Sequence, residues 1–184
     1  MQTNYTYTYY LAVAPIRMPH LDSTRAEPCA DEPESRVLRR LPPLLRHAWY
    51  SLNQAFRRRI AHLELTPDQY TVLRNLFEAG APGITQSELA ASMSSDPNTV
   101  ASLVDRMERA GYLDRQTDPD DRRARRLRLA APGRRKFRAA RSIAAQLQRD
   151  VLAPISPEEA AHFLAILEKV ASACRHAAER DPKA

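Results

Sequence analysis

The 184-residue sequence predicts a mainly α-helical fold that carries one small β-hairpin. Three observations favour this class. Boxes of the S/T-x-x-E/Q type, whose first and fourth residues satisfy each other's backbone amides at a helix start, begin at Thr66, Thr85 and Ser156. Apolar residues recur with helical spacing after each box. Leucine alternates with arginine at residues 126–129, which is the period of a strand with one buried face.

A helix-turn-helix is predicted to begin at Thr85. Its first helix is short, because the polar residues 92–95 compete for backbone hydrogen bonds and end it. Asp96 caps a second helix, with Pro97 at the first helical position, and Gly111 ends it. One side of this second helix is apolar: Val100, Leu103, Val104 and Met107. The other side carries groups of the kind that reach base edges and phosphates in a major groove: Asn98, Thr99, Ser102 and Arg106.

Two strand-like segments follow at residues 112–117 and 125–130, separated by a turn-forming run at 118–121. In the second segment the alternation of leucine and arginine predicts one buried face and one cationic face. Residues 115–141 hold ten arginines and one lysine against three aspartates, a local charge of +8 that exceeds the +6 of the whole chain. Such focused charge beside a helix-turn-helix is typical of a protein that binds double-stranded DNA, since neutralising phosphates releases counterions.

Three motifs make the chain resemble the MarR family of winged-helix transcriptional regulators. They are L-x-x-x-Q-Y-x-V-L at 65–73, V-D-R-M-E-x-x-G-Y-L-x-R at 104–115 and, as the most specific, D-P-D-D-R-R-A-R-R-L-R-L-x-x-x-G at 118–133. The similarity extends over residues 41–176. It implies a homodimer whose recognition helices enter successive major grooves of a pseudo-palindrome while its wings reach the flanking minor grooves. It also implies release from DNA by a small aromatic acid. Ala130 stands where the family usually has threonine, so a weaker cap is expected for the next helix.

These observations predict a set of DNA-binding residues. Bases would be contacted by Asn98, Thr99 and Ser102, with Arg106 on a base or a phosphate. The DNA backbone would be anchored by Thr85 and Gln86. The wing would present Arg122, Arg123 and Arg125, with Arg123 inserted in the minor groove. Asp121 is expected to support the wing by pairing with Arg115 or Arg106.

A ligand site is predicted in the crevice between the first helix, the second helix and the wing domain. Aromatic side chains and one cation there suit a small aromatic carboxylate as effector: Trp49, Tyr50, Asn53, Phe56, Tyr70 and Arg74. The alternative is that these aromatic residues, which have helical spacing, are packing residues.

The predicted organisation has four parts. Residues 1–34, rich in proline and acidic residues, are a mobile arm in which Met18 is an alternative start. Residues 35–64 form an N-terminal dimerisation helix region, 65–131 a winged helix-turn-helix DNA-binding domain, and 132–184 C-terminal dimerisation helices. Dimerisation is expected because the apolar stripes of the long helices exceed what the core of one small domain needs.

Other classes of function find little support in the sequence. Without an 18-residue apolar run or an export signal, and with two cysteines, the chain is expected to be cytoplasmic and to have no membrane partner. The five histidines are scattered without metal-ligand spacing, so the sequence predicts no metal site, no cofactor and no enzymatic activity. Asp105 and Glu108 are interpreted as i, i+4 partners of arginines. Two alternatives stay open, a redox-sensing regulator acting through Cys29 or Cys174 and a sequence-independent nucleoid-type DNA binder.

Overall fold

The structure is a computed structural model that describes residues 39–117 and 125–180. Contacts divide the chain into two units, Met1–Pro43 and Leu44–Ala184, and nearly everything described belongs to the second. Helices dominate it, which confirms the predicted fold class. The elements are α1 (Leu41–Ile60), a 3-10 helix (Ala61–Leu63), α2 (Pro67–Ala79), β1 (Ile84–Thr85), α3 (Gln86–Ser92), α4 (Pro97–Arg109), β2 (Leu113–Thr117), β3 (Arg125–Leu129), α5 (Ala131–Leu152) and α6 (Pro157–Glu179).

The predicted helix caps are confirmed. Thr66, Thr85 and Ser156 each accept a hydrogen bond from the amide three residues on, and the side chain there accepts from the cap amide in return. Asp96 accepts from the amides of Asn98 at 2.9 Å and Thr99 at 3.1 Å. These bonds satisfy amides that a helix start otherwise leaves unpaired, so each local sequence defines where its helix begins.

The start of α5 depends on a close backbone contact instead of a cap. Ala130 makes no side-chain cap bond, as expected from its residue type, and its amide donates to the Tyr112 carbonyl at 3.1 Å. A Cβ added to Gly133 would lie 2.0 Å from the same carbonyl oxygen. Glycine at position 133 therefore permits the first turn of α5 to pack directly on the backbone before β2.

The sheet has three antiparallel strands in the order β1-β3-β2. Ile84 lies opposite Leu127 on one side of β3, and Leu113 lies opposite Leu129 on the other. The two predicted strands are present, each one residue shorter than expected. Strand β1 was not predicted, because two residues are too few to show a period. The turn at 118–121 lies outside the described residues.

The two faces of β3 differ less than the alternation predicts. Leu127 is buried, but Arg126 and Arg128 are half-buried and not fully solvated. Arg126 donates from Nη1 to the Gly83 carbonyl at 3.2 Å. Gly83, at φ +69°, has no room for a Cβ, which would lie 2.5 Å from the Leu127 carbonyl oxygen. The segment before β1 therefore covers the arginine face of the strand.

The core lies between α2, α3, α4, the sheet, the C-terminal end of α1 and one side of α5, and the predicted apolar side of α4 is buried in it. Helix α1 contributes Phe56 and Ile60, whereas its preceding turns expose apolar side chains, Trp49 being 63% exposed. Helix α6 also exposes Phe163 and Leu164. The surplus apolar surface expected from the sequence is thus present on both helices, and its use in dimerisation stays a prediction.

Candidate functional site

The exposed side of α4 carries the four side chains predicted to read DNA. Asn98, Thr99, Ser102 and Arg106 are all exposed, while the opposite side of the same helix is buried. Asp96 holds the N-terminal turn, so the positions of Asn98 and Thr99 are defined by backbone bonds. Helix α4 therefore presents one amide, two hydroxyl groups and one guanidinium on its exposed side, which suits a helix that enters a major groove.

Helix α3 brings Thr85 and Gln86 near the wing. The Thr85 hydroxyl lies 3.0 Å from both Ser87 Oγ and Glu88 Oε2, so it is already engaged in the cap. Gln86 Oε1 accepts from Arg115 Nη2 at 3.4 Å. Any contact of Thr85 with a DNA phosphate would compete with its capping bonds, whereas Gln86 keeps its amide NH₂ group for that purpose. The role of both residues in anchoring DNA stays a prediction.

Arg115 on β2 joins the hairpin to α4, the predicted recognition helix. Its guanidinium donates to Asp105 Oδ1 and Glu108 Oε2, both on α4, and its side chain is only 26% exposed. The hydrogen bond to Asp105 contributes most to raising the pKa of Arg115, against the opposing effect of burial. The interpretation of Asp105 and Glu108 as i, i+4 partners of arginines is wrong, because their partner is on the neighbouring strand. Pairing of Arg115 with Asp121 stays a prediction, since Asp121 lies outside the described residues.

The wing is described only at its base. Arg125 is exposed there and lies opposite Thr117 in the strand register. Arg122 and Arg123 lie outside the described residues, so their predicted contacts with the minor groove stay predictions. Of the three predicted wing arginines, Arg125 alone belongs to the described residues, where it begins β3.

A cavity of about 440 Å³ occupies the predicted crevice. Five of the six predicted ligand residues line it, namely Trp49, Asn53, Phe56, Tyr70 and Arg74. Tyr50 does not line it and is 43% exposed. Sequence reasoning missed residues of α3 and α5 that also line the cavity, including Met93 and Leu147. No local pattern reveals them, because only the packing of α5 on α2 brings Leu147 there.

The chemistry of this crevice is mixed. The Asn53 Oδ1 atom is buried and has no hydrogen-bond partner among the described residues. Arg74 is half-exposed and forms an ion pair with Glu78 at 3.7 Å. Phe56 and Tyr70 pack edge to face with centroids 4.9 Å apart, and burial raises the pKa of Tyr70. The two aromatic rings therefore belong to the core as well as to the cavity wall, so the packing interpretation holds for them in part.

The described residues offer little support for a metal site, a membrane span or a redox site. These ranges contain no cluster of His, Cys, Asp and Glu that could hold a metal ion. None of their helices is long and apolar enough to cross a membrane. Cys174 is an exposed free thiol, and Cys29 lies outside the described ranges. Within the described residues, the redox alternative therefore rests on a single exposed thiol, Cys174.

Comparison with known proteins places this geometry in a family. The sequence model of the MarR family matches residues 65–124. The transcriptional regulator HosA of Escherichia coli O111:H- is 33% identical over 131 residues, which cover 68% of this chain and 96% of HosA. The family model spans the whole helix-turn-helix and β2, and it ends just before β3.

Solved structures agree with the fold. The Staphylococcus aureus MepR–DNA complex has a TM-score of 0.66 at 25% identity, covering 71% of this chain and 95% of MepR. CouR from Rhodococcus jostii RHA1, bound to p-coumaroyl-CoA, has a TM-score of 0.64 at 26% identity, covering 70% of this chain and 89% of CouR. One neighbour is thus bound to DNA and another to a small molecule.

Proposed function

The chain belongs to the MarR family of DNA-binding transcriptional regulators, and from this we propose that it is a homodimeric repressor. It reads a pseudo-palindromic operator and leaves it when a small aromatic carboxylate binds in the crevice. The observation that carries the proposal is the polar, fully exposed side of α4, held by Asp96 and backed by a buried apolar side. Because its proposed partner is DNA, we place the protein in the cytoplasm.

The proposed division of labour follows the surface chemistry. Residues 65–131 bind DNA, and the helices at 35–64 and 132–184 pair with those of a second copy. Support for pairing comes from the exposed apolar side chains of both regions, of which Trp49 is 63%, Phe163 48% and Leu164 50% exposed. Solvent-exposed apolar surface of this kind gains free energy on burial, at roughly 25 cal/mol per Å². A two-fold pair would then present two recognition helices about one DNA turn, or about 10 bp, apart.

DNA recognition is tested by selecting bound oligonucleotides from a random pool. We expect enrichment of an inverted repeat whose half-sites lie about 10 bp apart. Recovery without any enriched motif would contradict the proposal and would indicate a nucleoid-type binder. The Asn98→Ala variant should lose discrimination at one position of each half-site, since a lost base contact costs about 1–3 kcal/mol. Arg138→Ala, which removes an exposed cation from α5, is the matched control and should keep the motif.

Effector binding in the crevice is tested with benzoate as the probe. Trp49 is the chain's single tryptophan and lines this cavity, so its fluorescence reports occupancy directly. We expect saturable quenching together with release of the selected operator. Arg74→Gln should weaken quenching, whereas Arg138→Gln should not, because Arg138 lies outside the cavity. Quenching without release of DNA would contradict effector control while leaving DNA recognition intact.

A further inference from the structure

A second cavity of about 320 Å³ lies at the base of the wing. It is bounded by the end of α2, by strands β2 and β3 and by the first turn of α5, and it shares no lining residue with the crevice. Its wall is apolar at Leu76, Phe77 and Leu129, and two cations, Arg128 and Arg134, complete it. The volume is in the range of small-molecule sites, which begin at about 300 Å³.

Arg128 is the unusual group in this cavity. Its Nε atom is buried and has no hydrogen-bond partner among the described residues. Asp114 lies directly opposite Arg128 in the strand register and also lines the cavity, yet the two side chains form no ion pair in the described structure. A buried donor without a partner is destabilising, and the wing base keeps one such N–H group at Arg128.

The first turn of α5 adds positive potential on the same side. Arg134 is exposed and lines the cavity. Helix α5 begins at Ala131 without a side-chain cap and has no acidic residue in its first turn, so its own first turn does not neutralise the positive end of this 22-residue helix. Two guanidinium groups therefore share the lining of this cavity with one acidic side chain, Asp114.

We propose that this cavity is a second ligand site, which binds a small organic carboxylate with an apolar body. The carboxylate would accept hydrogen bonds from the terminal Nη groups of Arg128 and from Arg134, since guanidinium groups pair well with carboxylates. The apolar body would lie against Leu76, Phe77 and Leu129. The proposal is independent of the crevice, because the two cavities have no residue in common.

The test is a benzoate titration of the full chain, followed by nuclear magnetic resonance of the arginine Nε–H groups and of backbone amides. For the wild type we expect saturable shifts of the Arg128 Nε–H signal and of the Leu129 amide. Arg128→Gln should weaken the benzoate affinity reported by the Leu129 amide at least tenfold. Arg134→Gln, a change at an exposed position that leaves folding intact, should weaken it severalfold. Arg138→Gln is the matched control on the same helix and should bind as the wild type does.

Three results would overturn the proposal. The first is an unmoved Arg128 signal at benzoate concentrations that saturate the quenching of Trp49. The second is equal binding of benzamide, the neutral analogue, since charge recognition would then play no part. The third is an affinity of Arg134→Gln equal to that of the wild type, which decides the matter even if Arg128→Gln fails to fold. Since Trp49 lines the crevice and not the cavity at the wing base, failure of one site is distinguished from failure of the other.

Discussion

Replacing Arg115 with methionine should weaken operator binding by about fivefold to tenfold. Methionine keeps an apolar stem but removes the guanidinium that neutralises Asp105 and Glu108 on the recognition helix. Two uncompensated carboxylates would then stand beside the proposed DNA interface. At a separation of roughly 8 Å from a phosphate in a water-like dielectric, each repels it by about 0.5 kcal/mol. The sum of about 1 kcal/mol, with some loss of positioning between strand and helix, corresponds to the stated range.

The same substitution should lower stability only modestly. Asp105 and Glu108 are 54% and 36% exposed at the side chain, so water screens both ion pairs. We expect a loss of about 1 kcal/mol in the free energy of unfolding, since exposed pairs contribute little even when their hydrogen bonds are short. Urea unfolding monitored by circular dichroism measures this loss, and it confirms that the variant is folded during the DNA assay.

The assay is fluorescence anisotropy of a labelled operator duplex at fixed salt. Arg109→Met is the matched control, because it removes one exposed cation from α4, where Arg109 Nε donates to the Asp105 carbonyl. Both variants lose one positive charge, but only Arg115→Met also frees two carboxylates. A loss of affinity no greater than that of Arg109→Met would refute the reasoning.

Three further outcomes follow from contacts described above. Gly133→Ala should lower the free energy of unfolding by about 2 kcal/mol despite the better helix propensity of alanine, because its Cβ has no room. Thermal unfolding measures this loss, and Ala131→Ser, an exposed change in the same turn, is the control. Asp96→Ala should cost about 1 kcal/mol of stability through loss of two capping bonds, also by thermal unfolding, and an unchanged melting temperature would contradict the capping role. The pKa of Asp150 lies below its ordinary value, because Gln146 and Arg59 donate to it, so its contribution to stability is present above its unfolded pKa and is lost as the pH falls through the lower folded pKa. Carbon-detected pH titration should show this pKa returning toward the ordinary value in Arg59→Gln, and no change would exclude the ion pair in solution.

Features that depend on neighbouring residues could be predicted from the sequence. The caps at Thr66, Thr85, Asp96 and Ser156 involve atoms within three positions of each other, so they were predicted and are confirmed. The buried side of α4 follows from helical spacing alone. The exposed polar side follows from the same spacing, so the sequence alone identifies the candidate DNA-reading residues.

Features that depend on distant residues could not be predicted from the sequence. The partners of Arg115 are seven and ten positions away on another element, and no local rule selects them over i, i+4 neighbours on the helix. Strand β1 exists only because β3 pairs with it. Spacing also identified an apolar stripe on α1, but it could not say that Phe56 is buried within one chain while Trp49 remains exposed.

Thr85 belongs to two elements at once. It pairs with Arg126 as the last residue of β1, and its hydroxyl and amide form the cap of α3. Because this one residue belongs to both elements, a change in the tilt of the hairpin would also move the first turn of α3, the helix that precedes α4. In the proposed complex with DNA, the wing and α4 would therefore respond together to a duplex of altered shape.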